Sequence, residues 1–341
     1  MFTIKKTKKK SNRTLIVAEV SANHCGSKKK FLDHILQANK SGADLVKIQT
    51  YEPQDMLVNK NFKIRGGLWK GENLWKLYKK ACTPFDWHRD AFKLAKKNKI
   101  NLFSSPFSLR ALNFLKKFKP SIYKVASFEI TDHKLLNEIS KLKKTTILST
   151  GLATMPEIKS AIRIIKKYHS KIILLYCVSG YPTPLKEINF KEIEKIKRET
   201  KIKDVGFSDH TDGIDASLEA INKNVFMIER HFTLKKNSKS PDVKFSITPD
   251  QLSILKKFAE SKAIFLRKNK KKKSEKDSKI FRRSIYATKD IKKNEKFSSD
   301  NIDCFRPNVG LGSENYFNII NKLASKNIKK HEVIKKKFIK L

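Results

Sequence analysis

Short apolar runs recur along the chain, and most end in a polar residue fit for chemistry. They read TLIVAEV near Glu19, ADLVKIQT with Lys47 and Gln49, INLFSS with Ser104 and Ser105, and SIYKVAS with Lys124 and Ser127. TTILST follows with Ser149, and KIILLYC leads to Ser179 and Tyr181. DVGFSDH ends on Ser208, Asp209 and His210, and VFMIERH ends on His231. Such runs read as strands. Amphipathic stretches of helical period separate most of them. KKKFLDHILQANKSG (28–42) puts Phe31, Ile35 and Ala38 on one face, and MPEIKSAIRIIKKY (155–168) does the same with Ile158, Ile162 and Ile165. TPDQLSILKKFAES (248–261) opens with Thr248 and Gln251 at the spacing of a capping box. Eight β/α units in a row predict a (β/α)8 TIM barrel, whose chemistry collects at the carboxyl ends of its strands.

Two segments interrupt the alternation. Residues 51–83, rich in aromatics and containing Gly66-Gly67, form an insertion before the third strand and are expected to act as a substrate lid. Residues 234–247, with Pro241-Asp242, follow the eighth strand as a second active-site loop. The barrel is expected over 1–262 and a lysine-rich linker over 263–279, including KNKKKKSEK. A small domain of short strands and little helix is expected over 280–341. A unit of about 60 residues is marginal alone, so it is expected to dock on a barrel.

Polar residues at eight strand ends read as one site. His210 and His231 end neighbouring strands, which lie about 5 Å apart, so they can converge on one divalent cation; a hydrogen-bonded structural role is equally open. Lys47 and Lys124 sit among apolar neighbours, where a lysine forms a Schiff base or binds an anion. With Ser104 or Ser105, Ser127, Ser149 and Ser208 they describe a phosphate or carboxylate pocket. Glu19 and Glu129 beside it can move protons or hydrogen-bond sugar hydroxyls.

Composition adds limits. Lysine and arginine number 76 against 33 acidic residues, a formal charge of +43. The lysines are spread over nearly every segment, so they predict self-repulsion and attraction of anionic substrates, not a nucleic-acid partner. No apolar run reaches the roughly 18–20 residues that cross a membrane, and the basic start MFTIKKTKKKSNRT lacks the apolar part of a secretory leader. Cys25, Cys82, Cys177 and Cys304 are scattered without a CxxC pair, which fits a reducing cytoplasm. Cys177, at a strand end, reads as a buried inert thiol or a nucleophile.

VAEVSANHCG, LVKIQTYEP, LFSSPFS, YKVASFEI, ILSTGLAT, CVSGYPTP, FSDHTDGI and ERHFTL resemble, in order, the motifs of the sialic acid synthase family. FRRSIYATKDIKKNEKFSSDNIDCFRPNVGLG resembles its C-terminal antifreeze-like (SAF) domain. The resemblance implies condensation of phosphoenolpyruvate with an N-acylated amino sugar. GGLWKGENLWKLYKKACTPFDWH and CVSGYPTP resemble the pseudaminic acid branch more than the N-acetylneuraminate or legionaminate branches. It further implies Mg2+ or Mn2+ on His210 and His231, and phosphoenolpyruvate on Lys47, Lys124, Ser127, Ser149, Ser208 and one of Ser104 and Ser105. Glu19 would transfer protons. Gln49 would lie beside the metal, and Glu129, Tyr181 and Asp242 would contact the sugar. Arg306 would reach a partner's barrel in a domain-swapped homodimer. Cys25 departs from the asparagine usual after the NH pair. A Schiff-base aldolase using Lys124 fits the same barrel, but the adjacent histidines and the SAF-like tail count against it.

Overall fold

Eight strands close into a parallel barrel in chain order, with β8 pairing back onto β1. They are β1 Leu15–Glu19, β2 Leu45–Thr50, β3 Leu102–Pro106, β4 Ile122–Val125, β5 Thr145–Ser149, β6 Ile172–Cys177, β7 Val205–Asp209 and β8 Met227–His231. The structure, a computed structural model, describes residues 12–265 and 275–340, with Ile4, Thr7 and Lys8. Residues 266–274 of the expected linker, and most of the basic start, lie outside the described residues. The chain divides into two compact units, Met1–Arg267 and Lys268–Leu341.

Parallel strands covered by helices are buried on both faces, which is why they read as unbroken apolar runs. Alternate positions still meet different neighbours. Val17, Phe103, Ile147, Ile173, Leu175 and Met227 fill the barrel interior. Ile16, Ala18, Ile48, Leu148, Phe207 and Ile228 pack in the layer beneath the helices. The ladder sets Glu19 level with Lys47 on one side and His231 on the other, and Ser208 level with Glu229. Gly206 lies between β6 and β8, where a Cβ would come within 2.4 Å of the Met227 carbonyl oxygen, so only glycine lets the strands approach this closely.

A helix follows each strand: Lys28–Lys40, Phe85–Lys97, Leu109–Lys116, His133–Lys141, Met155–Lys166, Lys191–Thr200, Asp215–Asn222 and Pro249–Phe265. The expected stripes are buried, with His34 added to the first and Ala161 to the fifth. Thr248 and Gln251 cap the last helix reciprocally, Thr248 N donating to Gln251 Oε1 at 3.0 Å and Gln251 N to Thr248 Oγ1 at 3.4 Å. That helix runs past residue 261 to Phe265. Among the described residues no helix is long and apolar enough to cross a membrane.

Cys25 ends the short turn Ser21–His24 in the left-handed region, φ 49° and ψ 41°. Asparagine is among the few non-glycine residues that adopt this conformation readily. Cys25 holds this bend although it is neither glycine nor asparagine. The insertion carries two short helices, Pro53–Met56 and Leu74–Ala81, and an antiparallel bridge between Lys63 and Asn73.

In the second unit β9 Ser284–Ala287 pairs antiparallel with β10 Ile302–Phe305. Ile285, Ile291, Phe297, Ile302, Ile319 and Ile334 make its own core.

Candidate active site

The innermost polar layer lies on the interior side chains at the strand ends. Lys47 Nζ stands 2.6 Å from Glu19 Oε2 and 2.7 Å from Glu229 Oε1. Lys124 Nζ donates to Ser149 Oγ at 2.7 Å and lies 3.6 Å from Glu229 Oε1. All four charged groups are buried. Burial lowers the Lys47 ammonium to about 8, with Glu229 pulling it up and Lys124 pushing it down. Burial opposes ionisation of Glu229, but Lys124 and Lys47 hold its carboxyl below the ordinary carboxylate range. Two ammoniums facing two carboxylates are charge-balanced, so a bound anion must take over lysine contacts from a carboxylate.

Around this layer stand hydroxyls. Ser208 Oγ donates to Glu229 Oε1 at 3.4 Å, and Ser127 Oγ lies 3.0 Å from the buried Cys177 Sγ. Ser105 Oγ, Ser179 Oγ and Glu229 Oε2 are buried without a hydrogen-bond partner. Gly151 closes this wall: a Cβ there would fall 2.2 Å from Ser179 Oγ and 3.0 Å from Ser127 Oγ. Ser104 is a correction to the expected pocket. One position along β3 from Ser105, it faces the helix layer, donates to the Ile48 carbonyl at 3.0 Å and meets Thr50 Oγ1 at 2.7 Å. Thr50 Oγ1 in turn meets buried His88 Nε2 at 2.8 Å. A period of two puts only one of two adjacent serines inside, and it is Ser105.

Above the lysines, the rings of His210 and His231 lie 5.6 Å apart. His210 Nδ1 lies 3.1 Å from the Val178 carbonyl oxygen, and His231 Nδ1 lies 3.4 Å from Asp242 Oδ2. Burial, with His231 beside it, holds His210 down to about 3, so its ring is neutral. With Nδ1 at the Val178 carbonyl, the neutral His210 ring keeps Nε2 as the ligating nitrogen, the state a metal ligand needs, and Asp242 stands beside Nδ1 of His231, leaving Nε2 of that ring for the same role. The pair thus fits a divalent cation with remaining positions open to water and substrate. Among the described residues no group of three or more His, Cys, Asp or Glu could hold a metal, so this is not a closed structural site.

Asp242 was expected on the sugar. Its carboxylate stands beside His231 Nδ1 and accepts from Ala22 N at 3.2 Å, which ties it to the histidine pair. Gln49 Nε2 donates to Ser21 Oγ at 2.9 Å. Burial raises Glu129 to about 7 against the pull of Lys124, and its Oε2 has no partner. Tyr181 packs on His210 with ring centroids 4.5 Å apart. Glu19 Oε1 accepts from Ser21 N at 2.8 Å. Arg306 is exposed in the second unit, just after β10.

Three residues escaped the sequence reading. Glu229 is two positions before His231, and that even spacing on one strand was the available signal. Phe245 packs on His231 at 4.8 Å, and Trp69 of the insertion packs on Tyr181 at 5.9 Å and on Phe245 at 6.3 Å. No local pattern announces such long-range contacts.

The chain resembles known proteins over nearly its whole length. The NeuB family model matches residues 34–271, and the SAF domain model matches residues 282–340. The pseudaminic acid synthase of Campylobacter jejuni subsp. jejuni serotype O:2 is 40% identical over 95% of this chain and 96% of its own. The N,N'-diacetyllegionaminic acid synthase of the same strain is 36% identical over 95% of this chain and 99% of its own. Among solved structures, N-acetylneuraminic acid synthetase from Leptospira borgpetersenii serovar Hardjo-bovis, in complex with citrate, superposes with a TM-score of 0.68. It is 30% identical and covers 79% of this chain and 90% of that one.

Proposed function

The chain belongs to the NeuB family, and on that premise we propose that it makes pseudaminic acid. It is an enzyme of the sialic acid synthase type that catalyses a condensation. The proposed reaction joins phosphoenolpyruvate to 2,4-diacetamido-2,4,6-trideoxy-altropyranose and releases phosphate by C–O cleavage. The observation that carries this reading is the layering: two buried lysines and unpartnered hydroxyls lie beneath an open pair of histidines. The first layer suits a small polyanion and the second a carbonyl oxygen.

Lys47 and Lys124 hold the phosphate and carboxylate charges of phosphoenolpyruvate, with Ser105, Ser127, Ser149 and Ser208 donating to its oxygens. Fixed donors in a water-poor pocket need no reorganisation as charge moves during reaction. C3 of phosphoenolpyruvate attacks the aldehyde carbon of the open-chain sugar, water adds at C2, and the C2–O bond to phosphate breaks. Glu19, anchored by Ser21 N–H and Lys47, is placed to carry the proton. Tyr181, Glu129 and Gln49 face the sugar, and Asp242 holds His231 in register. A divalent cation, Mg2+ or Mn2+, on His210 and His231 would supply Lewis-acid polarisation of the aldehyde. The resemblance assigns Arg306 to sugar contact across a domain-swapped homodimer.

Support for the altrose sugar comes from the pseudaminic-like insertion and the 40% identity over nearly the whole chain. The 36% identity to a legionaminic acid synthase supports a second reading, with the same chemistry on a manno sugar. N-acetylneuraminate synthesis is a further form of that alternative. Phosphate release from phosphoenolpyruvate with Mn2+, measured separately with the altrose sugar, N-acetylmannosamine and the 2,4-diacetamido manno sugar, decides between them. Release with the altrose sugar alone, abolished by EDTA, supports the proposal. Release only with a manno sugar overturns the sugar and keeps the chemistry.

A further inference from the structure

We propose that Trp69 reads an acetamido group of the sugar, its indole N–H donating to the acyl carbonyl. This rests on the reading of the site as one for an acylated amino sugar. Trp69 occupies a tight turn of the insertion, between Gly67 and Gly71, whose φ angles are 76° and 86°. Lys70 N donates to the Gly67 carbonyl at 3.2 Å and Glu72 N to the Trp69 carbonyl at 3.0 Å, which fixes the turn. An aromatic at the tip of a surface excursion ordinarily faces water. This one is turned inward against Tyr181 and Phe245, the two rings that pack on His210 and His231. The aromatic wall therefore runs unbroken from the histidine pair to the insertion.

Two further observations point to a ligand. Trp69 Nε1 is buried and has no hydrogen-bond partner. A buried donor left unpaired costs free energy, and indole N–H groups in such places ordinarily find an acceptor. The same residue lines an open cavity of about 200 Å3 between the insertion and the loop after β8, where Leu68, Leu77 and Val243 stand beside the charged Glu72, Lys80 and Lys239. An acetamido group matches both features: its carbonyl accepts one hydrogen bond and its methyl can pack on the apolar members of the lining, Leu68, Leu77 and Val243. The turn that carries Trp69 lies in the segment GGLWKGENLW, so selectivity for the acylated sugar resides in the insertion rather than in the barrel.

The test compares the parent with Trp69→Phe, which keeps the ring face and removes the N–H, and with Trp69→Leu, which removes both. Phosphate release is measured with the diacetamido sugar and with two analogues in which one acetamido group is replaced by hydroxyl. Trp69→Phe should raise the sugar KM about tenfold with the phosphoenolpyruvate KM unchanged, the scale of one lost hydrogen bond. The parent should lose about as much on one of the analogues, and Trp69→Phe should lose nothing further on that analogue. Trp69→Leu should be weaker still on every sugar. An unchanged sugar KM in Trp69→Phe overturns the proposal. So do additive losses, or a parallel rise in the phosphoenolpyruvate KM that marks a structural role. Turnover confined to the diacetamido manno sugar overturns the altrose reading, and the Trp69 comparison is then made on that sugar. Turnover with no acetamido sugar overturns both.

Discussion

Neighbouring positions on β8 carry two buried ion clusters of opposite character. Arg230 faces the helix layer and is fully buried. It lies 2.5 Å from Asp209 Oδ2 and donates to the carbonyls of Thr211 at 2.9 Å and Gly213 at 2.8 Å. Asp209 in turn accepts from Thr211 N at 2.9 Å and Ser217 Oγ at 2.5 Å. Glu229, one residue earlier, faces the barrel interior, where it shares one oxygen among Lys47, Lys124 and Ser208 and leaves the other unpaired. In the first cluster fixed neighbours take both Asp209 oxygens and both terminal nitrogens of Arg230, leaving only Nε without a partner, while the second keeps a whole carboxylate oxygen spare at the site. Buried charge is costly in either place. Committed partners make it structure, and uncommitted ones make it a place where a substrate can be bound.

The contrast can be broken from either side. Asp209→Ala strands the Arg230 guanidinium in an apolar layer and should cost about 3–5 kcal/mol, read as a fall in the urea midpoint. An unchanged midpoint would remove the structural reading of that pair. Lys124→Met, on the interior side, should lower kcat/KM by roughly 100- to 1,000-fold. The midpoint should fall by less than in Asp209→Ala, because Lys47 still pairs with Glu19 at 2.6 Å and Glu229 at 2.7 Å. A comparable loss of stability would show that the interior cluster is structural too.

Two smaller effects sharpen the same division. Lys47 holds an anion only while protonated, and its burial lowers its pKa to about 8. Affinity for phosphoenolpyruvate is therefore full below that pH and should fall as pH rises through it, by about tenfold per unit at the limit. A KM flat from pH 7 to 10 would sink the role given to this lysine. Adjacent Ser104 and Ser105 should respond in opposite ways. Ser104→Ala should cost about 1 kcal/mol of stability with unaltered kinetics, and Ser105→Ala should raise the phosphoenolpyruvate KM a few-fold with unaltered stability. Matching effects from the two would contradict their placement on opposite faces of β3.

The barrel was legible because strands buried on both faces cannot hide their apolar runs, and because capped helices such as Thr248–Phe265 mark their own starts. The histidine pair and both lysines were legible for a related reason: a charge inside such a run has no ordinary use. Glu229 was missed since, beside Arg230, it reads as half of an ion pair. Only the even spacing to His231 separates the two. The contact of Asp242 with His231 was not foreseen, and Trp69 was lost inside an insertion recognised only as aromatic. Both depend on where a loop folds back, which neither period nor propensity encodes.

The Lys47–Glu229 contact joins positions 182 apart in sequence, and this has a consequence for synthesis. A nascent chain that has completed β1 to β4 carries Glu19, Lys47 and Lys124, an excess of one positive charge on side chains destined for burial. The balancing carboxylate arrives only with β8. Until that strand closes the ring, these lysines must stay solvated, and the earlier strands cannot seal around them without a steep electrostatic penalty. The barrel's last strand thus supplies the carboxylate that balances charge brought in by the first ones.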